Sequence, residues 1–148
     1  MTTYWMGIAS ADHARAGRDG GFAQLGHGKH TAVKSLKAGD WIVYYSPKEK
    51  MGEGDAVKAF TTIGKVTSDE PYQVTQSKGF RPFRVDVDYV EDAIQAPITP
   101  LLEKLDLTKG RGSGWGIVMR RSKSKLSAHD MRTIALAMNV SLEHIEDL

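Results

Sequence analysis

The sequence predicts an α+β fold, a small mixed or antiparallel β-barrel flanked by short helices. Segments typical of strands outnumber those typical of helices, and the two kinds do not alternate regularly along the chain. Most helical segments are also short. A strand-rich chain with few, short helices has to close or cover its sheet, and this favours a small barrel over a doubly wound parallel sheet.

The central strand is predicted at residues 41–45. A glycine–aspartate turn precedes it, and its aromatic and β-branched residues suit a pleated surface. Pro47 cannot donate a ladder hydrogen bond, so we expect the strand to stop there. Side chains alternate along a strand, which places Tyr44 and Tyr45 on opposite, buried faces.

The other elements are predicted from periodicity and capping. Phe83, Val85 and Val87 alternate with polar residues, as in a half-exposed antiparallel strand, and Ser127 with Asp130 resembles a capping box. In the first half of the chain we expect a strand over 4–8, a helical turn over 10–15 capped by Ser10 or Asp12, a glycine-rich loop over 17–28, a short helix over 30–37 and a charged loop over 48–55. Two further strands are expected over 56–66 and 83–89. The remainder should contain a short helix after Thr99, a basic loop over 109–114, a strand over 115–119, an amphipathic helix from Ser127 to Asn139 and a shorter helix capped by Ser141.

Composition limits the class of protein. The 148 residues predict one domain over 1–148, with a hydrophobic content of 41% that can form a sizeable core. The net charge of +2 weakly favours an anionic partner. With no cysteine, no apolar run of membrane-spanning length and no signal-peptide pattern at the N-terminus, we expect a soluble, cytoplasmic protein without membrane contact.

A set of short motifs runs in order over nearly the whole chain. The motifs are Tyr4-Trp5, Ala9-Ser10 with Asp12-His13, Gly21-Phe22-Ala23-Gln24, His27-Gly28-Lys29, Gly39-Asp40, Tyr44-Tyr45-Ser46-Pro47, Phe60 with Gly64, Trp115-Gly116, and Asp130 with Ile134. Together they resemble the EVE domain family. The resemblance implies a fold similar to PUA domains and kinship to YTH domains, which recognise methylated adenine. It therefore implies a nucleic-acid-binding module with a pocket for a modified base, in DNA or RNA.

Base recognition requires aromatic planes, hydrogen-bonding groups for the base edge and cations for phosphates. The sequence offers all three, and we expect the pocket between the Phe22 loop and the end of the central strand. The predicted pocket residues are Trp5, Ser10, His13, Phe22, Gln24, His27, Tyr45, Ser46 and Trp115, and the predicted phosphate contacts are Lys29, Lys34, Lys48, Arg81 and Arg84.

Several of these residues also have a purely structural interpretation. Phe22 could be a hydrophobic peg that pins its loop, Trp115 could belong to the core, and Ser10 could simply cap a helix. Lysines often form only a solvated surface. The alternative function is a small-molecule-binding or protein-interaction domain that uses the same pocket for another planar ligand.

Catalysis and metal binding have weaker support. His27 and His30 form a His-x-x-His pair, but no third strong ligand follows at a recognisable spacing, so we expect no metal or cofactor. Ser10, Asp12 and His13 are the residue types of a hydrolase triad, yet this serine lacks the Gly-x-Ser-x-Gly elbow. The glycines of the 109–114 loop lack the helix that follows a dinucleotide fingerprint. We expect a protein that is not an enzyme.

The lysines differ in their expected roles. Lys29, Lys34 and Lys48 fall at loop and element ends that flank the expected pocket, so phosphate contacts are predicted there. Lys123 and Lys125 fall on a predicted turn before the last long helix. We expect that second pair to contribute much less to binding.

Overall fold

A computed structural model describes residues 2–145, except for the side chain of His144. Within this part of the chain, eight strands and three α-helices are joined by short 3₁₀ helices and turns. The strands are β1 (Tyr4–Ile8), β2 (Phe22–Ala23), β3 (Trp41–Lys50), β4 (Glu53–Val66), β5 (Tyr72–Gln73), β6 (Phe83–Tyr89), β7 (Ala96–Pro97) and β8 (Lys123–Leu126); the helices are α1 (Ala11–Gly20), α2 (His30–Val33) and α3 (Ala128–Ala137); and the 3₁₀ helices are Gly26–Gly28, Thr99–Leu101, Gly112–Met119 and Leu142–His144.

Six of these strands form a curved, mixed sheet in the order β2-β6-β4-β3-β1-β8. The pairing of β1 with β3 is parallel, with Tyr4 opposite Trp41, while the other pairs are antiparallel. The short strands β5 and β7 add to β6 and β4. The result is a half-barrel flanked by short helices, which confirms the predicted fold class.

The central strand β3 divides the core into two hydrophobic clusters. Val43 and Tyr45 face the first cluster, together with Met131 and Ile134 of α3. Tyr44 faces the second cluster, which lies on the α1 side of the sheet. The predicted alternation is therefore confirmed, since a strand directs successive side chains to opposite faces.

The predicted end of β3 at Pro47 is wrong, because the strand continues to Lys50. The register with β4 shifts between Ser46 and Lys48, which is the mark of a β-bulge. A proline at such a bulge does not have to donate a ladder hydrogen bond, so it is compatible with a continuing strand. The hairpin consequently extends through the segment that was predicted to be a loop.

Helix α1 is also longer than predicted, since it continues to Gly20. It ends where Gly21 adopts a left-handed conformation with φ of 74° and donates its N–H to the carbonyls of Arg18 and Gly17. This is the usual glycine cap of a helix C-terminus. Part of the predicted glycine-rich loop is therefore helical.

The strand predicted at residues 115–119 is wrong. These residues lie in the 3₁₀ helix Gly112–Met119, in which no residue is buried. The edge position beside β1 is taken instead by β8, with Leu126 opposite Tyr4. Local composition could not reveal this, because the segment that pairs with β1 is selected by contacts between parts of the chain that are far apart in the sequence.

The long C-terminal helix begins as predicted. The Ser127 hydroxyl accepts a hydrogen bond of 3.1 Å from the Asp130 backbone N–H, and α3 then buries Met131 and Ile134 against the sheet. In residues 2–145, no helix is long and apolar enough to cross a lipid bilayer.

Candidate functional site

A cleft of about 940 Å³ opens on the side of the sheet that carries α1. Its walls come from α1, the segment between Phe22 and Lys29, the start of α2 and the segment from Arg120 to Lys123. Met51, at the turn between β3 and β4, also reaches it. Elements that are distant in the sequence therefore converge on one concave surface.

Tyr44 fixes the inner wall of this cleft. Its buried hydroxyl donates to the Gln24 carbonyl at 3.2 Å and accepts from the Gln24 N–H at 3.3 Å. Burial raises the pKa of Tyr44 well above its ordinary range, so the phenol stays neutral and can make both bonds. A Cβ atom at Gly7 would lie 2.7 Å from Leu25 and 2.9 Å from the Tyr44 ring, so a larger residue there would have to displace these side chains.

The lining of the cleft is positively charged. Four of its side chains are lysine or arginine, and none of the described residues in its lining is Asp or Glu. Such a concave, single-sign surface concentrates anionic ligands. The cations are Lys29, Arg120, Arg121 and Lys123, and His13 and His27 lie in the same lining.

Lys123 is held in a defined position. Its ammonium group donates to the Ser35 hydroxyl and lies 5.0 Å from the centre of the Trp5 ring. Burial, and then the nearby charge of Lys34, lower the pKa of Lys123. An anion bound beside Lys123 would raise its pKa and so oppose the effects of burial and of the Lys34 charge.

One rim of the cleft is formed by a hydrogen-bonded cluster around Arg84. The guanidinium carbon lies 3.7 Å from the centre of the Phe22 ring. Its Nε–H donates to Gln24 Oε1 at 2.8 Å, and its terminal N–H donates to Gln76 Oε1 at 3.2 Å. Gln24 Nε2 also donates to Gln76 Oε1, at 3.3 Å. We call Gln24, Gln76 and Arg84 the amide rim.

Four of the nine predicted pocket residues line this cleft. His13 comes from α1, Phe22 and Gln24 from β2 and the segment after it, and His27 from the 3₁₀ helix Gly26–Gly28. His27 has a left-handed backbone with φ of 59°. The loop that the sequence singled out does contribute to the cleft.

Two other predicted pocket residues, Tyr45 and Trp115, lie on the opposite face of the sheet, and Ser46 is buried against β4. The Tyr45 ring contacts Phe60 and Trp115 edge-on, at centroid distances of 5.5 and 6.3 Å. The buried Ser46 hydroxyl pairs with the Thr61 hydroxyl at 2.8 Å. The nine residues therefore do not form a single pocket, and the tyrosine that lines the cleft is Tyr44.

Trp5 and Ser10 are both buried and have structural partners. Trp5 Nε1 donates to the Asp40 carboxylate at 3.0 Å. Ser10 occupies the N-cap position of α1, but its hydroxyl makes no capping bond and donates to Asp12 at 2.5 Å, which lowers the pKa of Asp12. Ser10 thus starts the helix by its extended backbone and not by its side chain.

Of the five predicted phosphate contacts, Lys29 lines the cleft. Lys34 ends α2 close to Lys123, and Lys48 lies beyond the bulge of β3. Arg81 is exposed before β6, whereas Arg84 uses its guanidinium in the amide rim. Phosphate binding by these five residues stays a prediction.

The contribution of the basic segment from Arg120 to Lys123 was not predicted from the sequence. Lys123 and Lys125 were expected on a turn remote from the pocket, but both lie in β8, and Lys123 lines the cleft. A signal was present, since Arg120, Arg121 and Lys123 form a short basic run. Tyr44, Gln76 and Phe80 were missed as well, because only the tertiary structure brings them to this surface.

A second cluster has the residue types of a metal site. The ligand atoms of Asp106, His129 and Asp130 lie within 4.8 Å of one another, and neither His27 nor His30 belongs to this group. The Asp130 carboxylate accepts the backbone N–H groups of Asp106 and Leu107 at 2.7 and 3.0 Å, and burial raises its pKa. The cluster thereby ties α3 to the preceding turn.

This fold is shared with solved YTH domains. The Mmi1 YTH domain has a TM-score of 0.58 and 10% identity, with 93% of this chain and 75% of that chain covered. The YTH domain of the Zygosaccharomyces rouxii MRB1 protein, in complex with N6-methyladenosine RNA, has a TM-score of 0.54 and 15% identity, with 95% and 89% covered. The likeness to these two YTH domains is thus one of fold.

The family follows from the sequence itself. The chain matches the EVE domain over residues 3–137 and belongs to that family. A UPF0310 protein of Mesorhizobium japonicum is 47% identical over 140 residues, covering 93% of each chain. The UPF0310 protein YdcG of Bacillus subtilis is 37% identical over 141 residues, covering 95% of each. The resemblance stated from the motifs is confirmed.

Proposed function

We propose that this protein is a non-enzymatic module that binds nucleic acid and holds one modified base in the cleft. The observation that carries the proposal is the composition of the cleft. Cations lie in its lining with aromatic rings and amides, and no described acidic residue lines it. Phosphates would contact Lys29, Arg120, Arg121 and Lys123, which fix position, while Phe22, Gln24 and Tyr44 would contact the base, which gives specificity.

The size of the cleft supports this ligand. Its volume of about 940 Å³ is within the range of pockets that enclose small organic molecules. Extruding a base costs a few kcal/mol, and stacking on one aromatic ring returns about 1–3 kcal/mol. A lesion or modification that weakens pairing or adds contacts in the cleft would shift this balance toward binding.

The structural relatives support the same class of ligand. The Zygosaccharomyces rouxii YTH domain binds RNA that carries a methylated adenine, so the shared fold is compatible with recognising a modified base.

The proposal that the protein is not an enzyme rests on the contacts of Ser10. Its hydroxyl donates to Asp12 and not to His13, whereas a nucleophilic serine needs a histidine base.

The test is titration of short DNA and RNA oligonucleotides, with and without base modifications, at several salt concentrations. Binding should weaken steeply as salt increases, because phosphate contacts release counterions. Arg120→Ala with Arg121→Ala should lower the salt slope by about two if each arginine contacts one phosphate. The preference for a modified base should change little.

A matched control comes from the opposite face of the sheet. Lys104→Ala with Arg132→Ala removes the same charge from exposed positions around α3, so the salt slope should stay close to that of the wild type. Equal slopes for the wild type and both double variants would contradict the phosphate contacts. Salt-independent binding of a planar small molecule, without affinity for any oligonucleotide, would favour the alternative function.

A further inference from the structure

The amide rim has a fixed hydrogen-bonding polarity. Arginine carries only N–H donors and no acceptor. Because Arg84 donates to both Gln24 and Gln76, both glutamines must turn their carbonyl oxygens toward it. Rotating either amide by half a turn would place an NH₂ group against the guanidinium and remove a charge-assisted hydrogen bond.

The positions of the two NH₂ groups follow from this constraint. Gln24 and Gln76 both line the cleft, and Gln24 Nε2 uses one of its two hydrogens on Gln76 Oε1. The remaining amide hydrogens are available to a ligand, whereas the Gln76 oxygen already accepts from both Arg84 and Gln24. At this rim, the protein thus offers donors side by side.

Arg84 is itself held in place. Its guanidinium carbon lies 3.7 Å from the centre of the Phe22 ring, close enough for a cation–π attraction. The side chain is half-buried and makes two hydrogen bonds besides this contact. Its rigid fork therefore sets the orientation of both amides.

We propose that the amide rim makes the cleft select, among purines, a 6-oxopurine over adenine. This inference rests on the proposed function. A 6-oxopurine presents O6 and N7 as adjacent acceptors, while adenine presents N7 beside an N6 amino donor. An amino group that faces the glutamine NH₂ groups would leave donors unpaired in a partly enclosed site. Arg84 acts through Gln24 and Gln76 and is a positioning residue.

The direct test compares single-stranded oligonucleotides that differ at one base, hypoxanthine in one and adenine in the other. The two bases have nearly the same size and differ in the group at C6 and in the hydrogen that hypoxanthine carries on N1. The wild type should bind the hypoxanthine probe more tightly by about tenfold, which is the scale of one bidentate contact. A 7-deazahypoxanthine probe, which lacks the N7 acceptor, should lose most of this advantage.

Gln24→Glu tests the polarity of the rim. Glutamate keeps an oxygen toward Arg84 and replaces the amide donor with a second acceptor oxygen. The added negative charge should weaken binding to every probe, so the readout is the ratio of the two affinities. That ratio should shift toward adenine, whose amino group can now donate.

Arg84→Lys tests the positioning role. Lysine keeps the charge but has no rigid fork, so the two amides are free to rotate and the ratio should approach one. Lys78→Gln removes a positive charge from an exposed position near Gln76 and should leave the ratio unchanged. Melting temperatures of the variants show whether a change in the affinity ratio comes from unfolding. If Arg84→Lys does not fold, the Gln24→Glu variant tests the inference.

Two different failures can be told apart. If the wild type binds both probes equally, or prefers adenine, the inference is overturned while nucleic-acid binding stands. If no oligonucleotide in the wider panel binds at any salt concentration, the proposed function fails, and the inference fails with it. A hypoxanthine preference that Gln24→Glu leaves in place would also overturn the role of the rim.

Discussion

Neighbouring tyrosines in β3 have unlike environments. Tyr44 lies at the wall of the cleft and holds the Gln24 backbone through two hydrogen bonds. Tyr45 is 1% exposed on the other face, packed between Phe60 and Trp115. Two side chains that are chemically the same therefore have different roles, one next to the ligand site and one in the core.

Phe22→Ala and Tyr45→Ala should differ accordingly. Loss of Phe22 removes a half-exposed ring and should weaken oligonucleotide binding by about 1–3 kcal/mol while the fold persists. Loss of Tyr45 leaves a core cavity and should lower the free energy of unfolding by about 3–5 kcal/mol. Binding titrations and urea denaturation of both variants measure this contrast. Unchanged affinity with a large drop in melting temperature for Phe22→Ala would identify Phe22 as a structural peg.

At the scale of elements, Asp40 joins the starts of β1 and β3. Its buried carboxylate accepts hydrogen bonds from the Thr3 and Lys37 backbone N–H groups at 3.1 and 3.0 Å, and from Trp5 Nε1 at 3.0 Å. Parallel strands cannot be joined by a tight hairpin. Asp40 directly precedes β3, so a carboxylate there that accepts from β1, from the residue before β1 and from the turn before β3 stabilises this pairing.

Asp40→Asn tests this link. Asparagine has one acceptor oxygen where aspartate has two, so its NH₂ group would face a buried N–H donor. The free energy of unfolding should fall by about 1–3 kcal/mol, as expected when a buried donor loses its acceptor. Urea denaturation measures it, with Asp69→Asn at an exposed bend as the control. Equal midpoints for the two variants would mean that the three bonds contribute little.

At the scale of the whole molecule, the two faces of the half-barrel serve different purposes. One face packs against α3 and forms a closed core. The other buries a second cluster but leaves a basic cleft between α1, α2 and the segment before β8. Both clusters contain buried tyrosines. A charged phenolate would be unfavourable in such a place, so the stability of the fold depends on these tyrosines staying neutral.

Stability should therefore fall at alkaline pH. Burial raises the pKa of Tyr45 to about 12, and it raises the pKa values of Tyr44 and Tyr89 as well. Above about pH 10 the unfolded chain loses phenolic protons that the folded protein retains, so each such tyrosine favours unfolding by about 1.4 kcal/mol per pH unit. This stability is fully present below about pH 10 and is lost as the pH rises toward the folded pKa.

Urea denaturation between about pH 8 and about pH 11 measures this loss. Tyr44→Phe should reduce the slope above about pH 10 by the share of one tyrosine, because phenylalanine keeps the ring but has no proton to lose. A free energy of unfolding that stays constant over this range would contradict the raised pKa values.

Local patterns in the sequence were enough for much of the fold and part of the site. The alternation of residues 83–89 and the cap at Ser127 depend on near neighbours in the chain, and both are confirmed. The motifs around Phe22 and His27 indicated the loop that lines the cleft. These features follow from the sequence because period, turn chemistry and capping are short-range properties.

The tertiary structure alone decided which surfaces meet. Arg84 contacts Gln24 across 60 residues, and the basic run at Arg120 reaches the cleft only because β8 takes the edge beside β1. Strand pairing assembles such contacts over the whole sheet, and no local pattern encodes them. A shift of one residue in the register of β3 would turn Tyr45 toward the cleft and Tyr44 away from it. Which tyrosine lines the cleft therefore depends on the register and on which face of the sheet each helix covers.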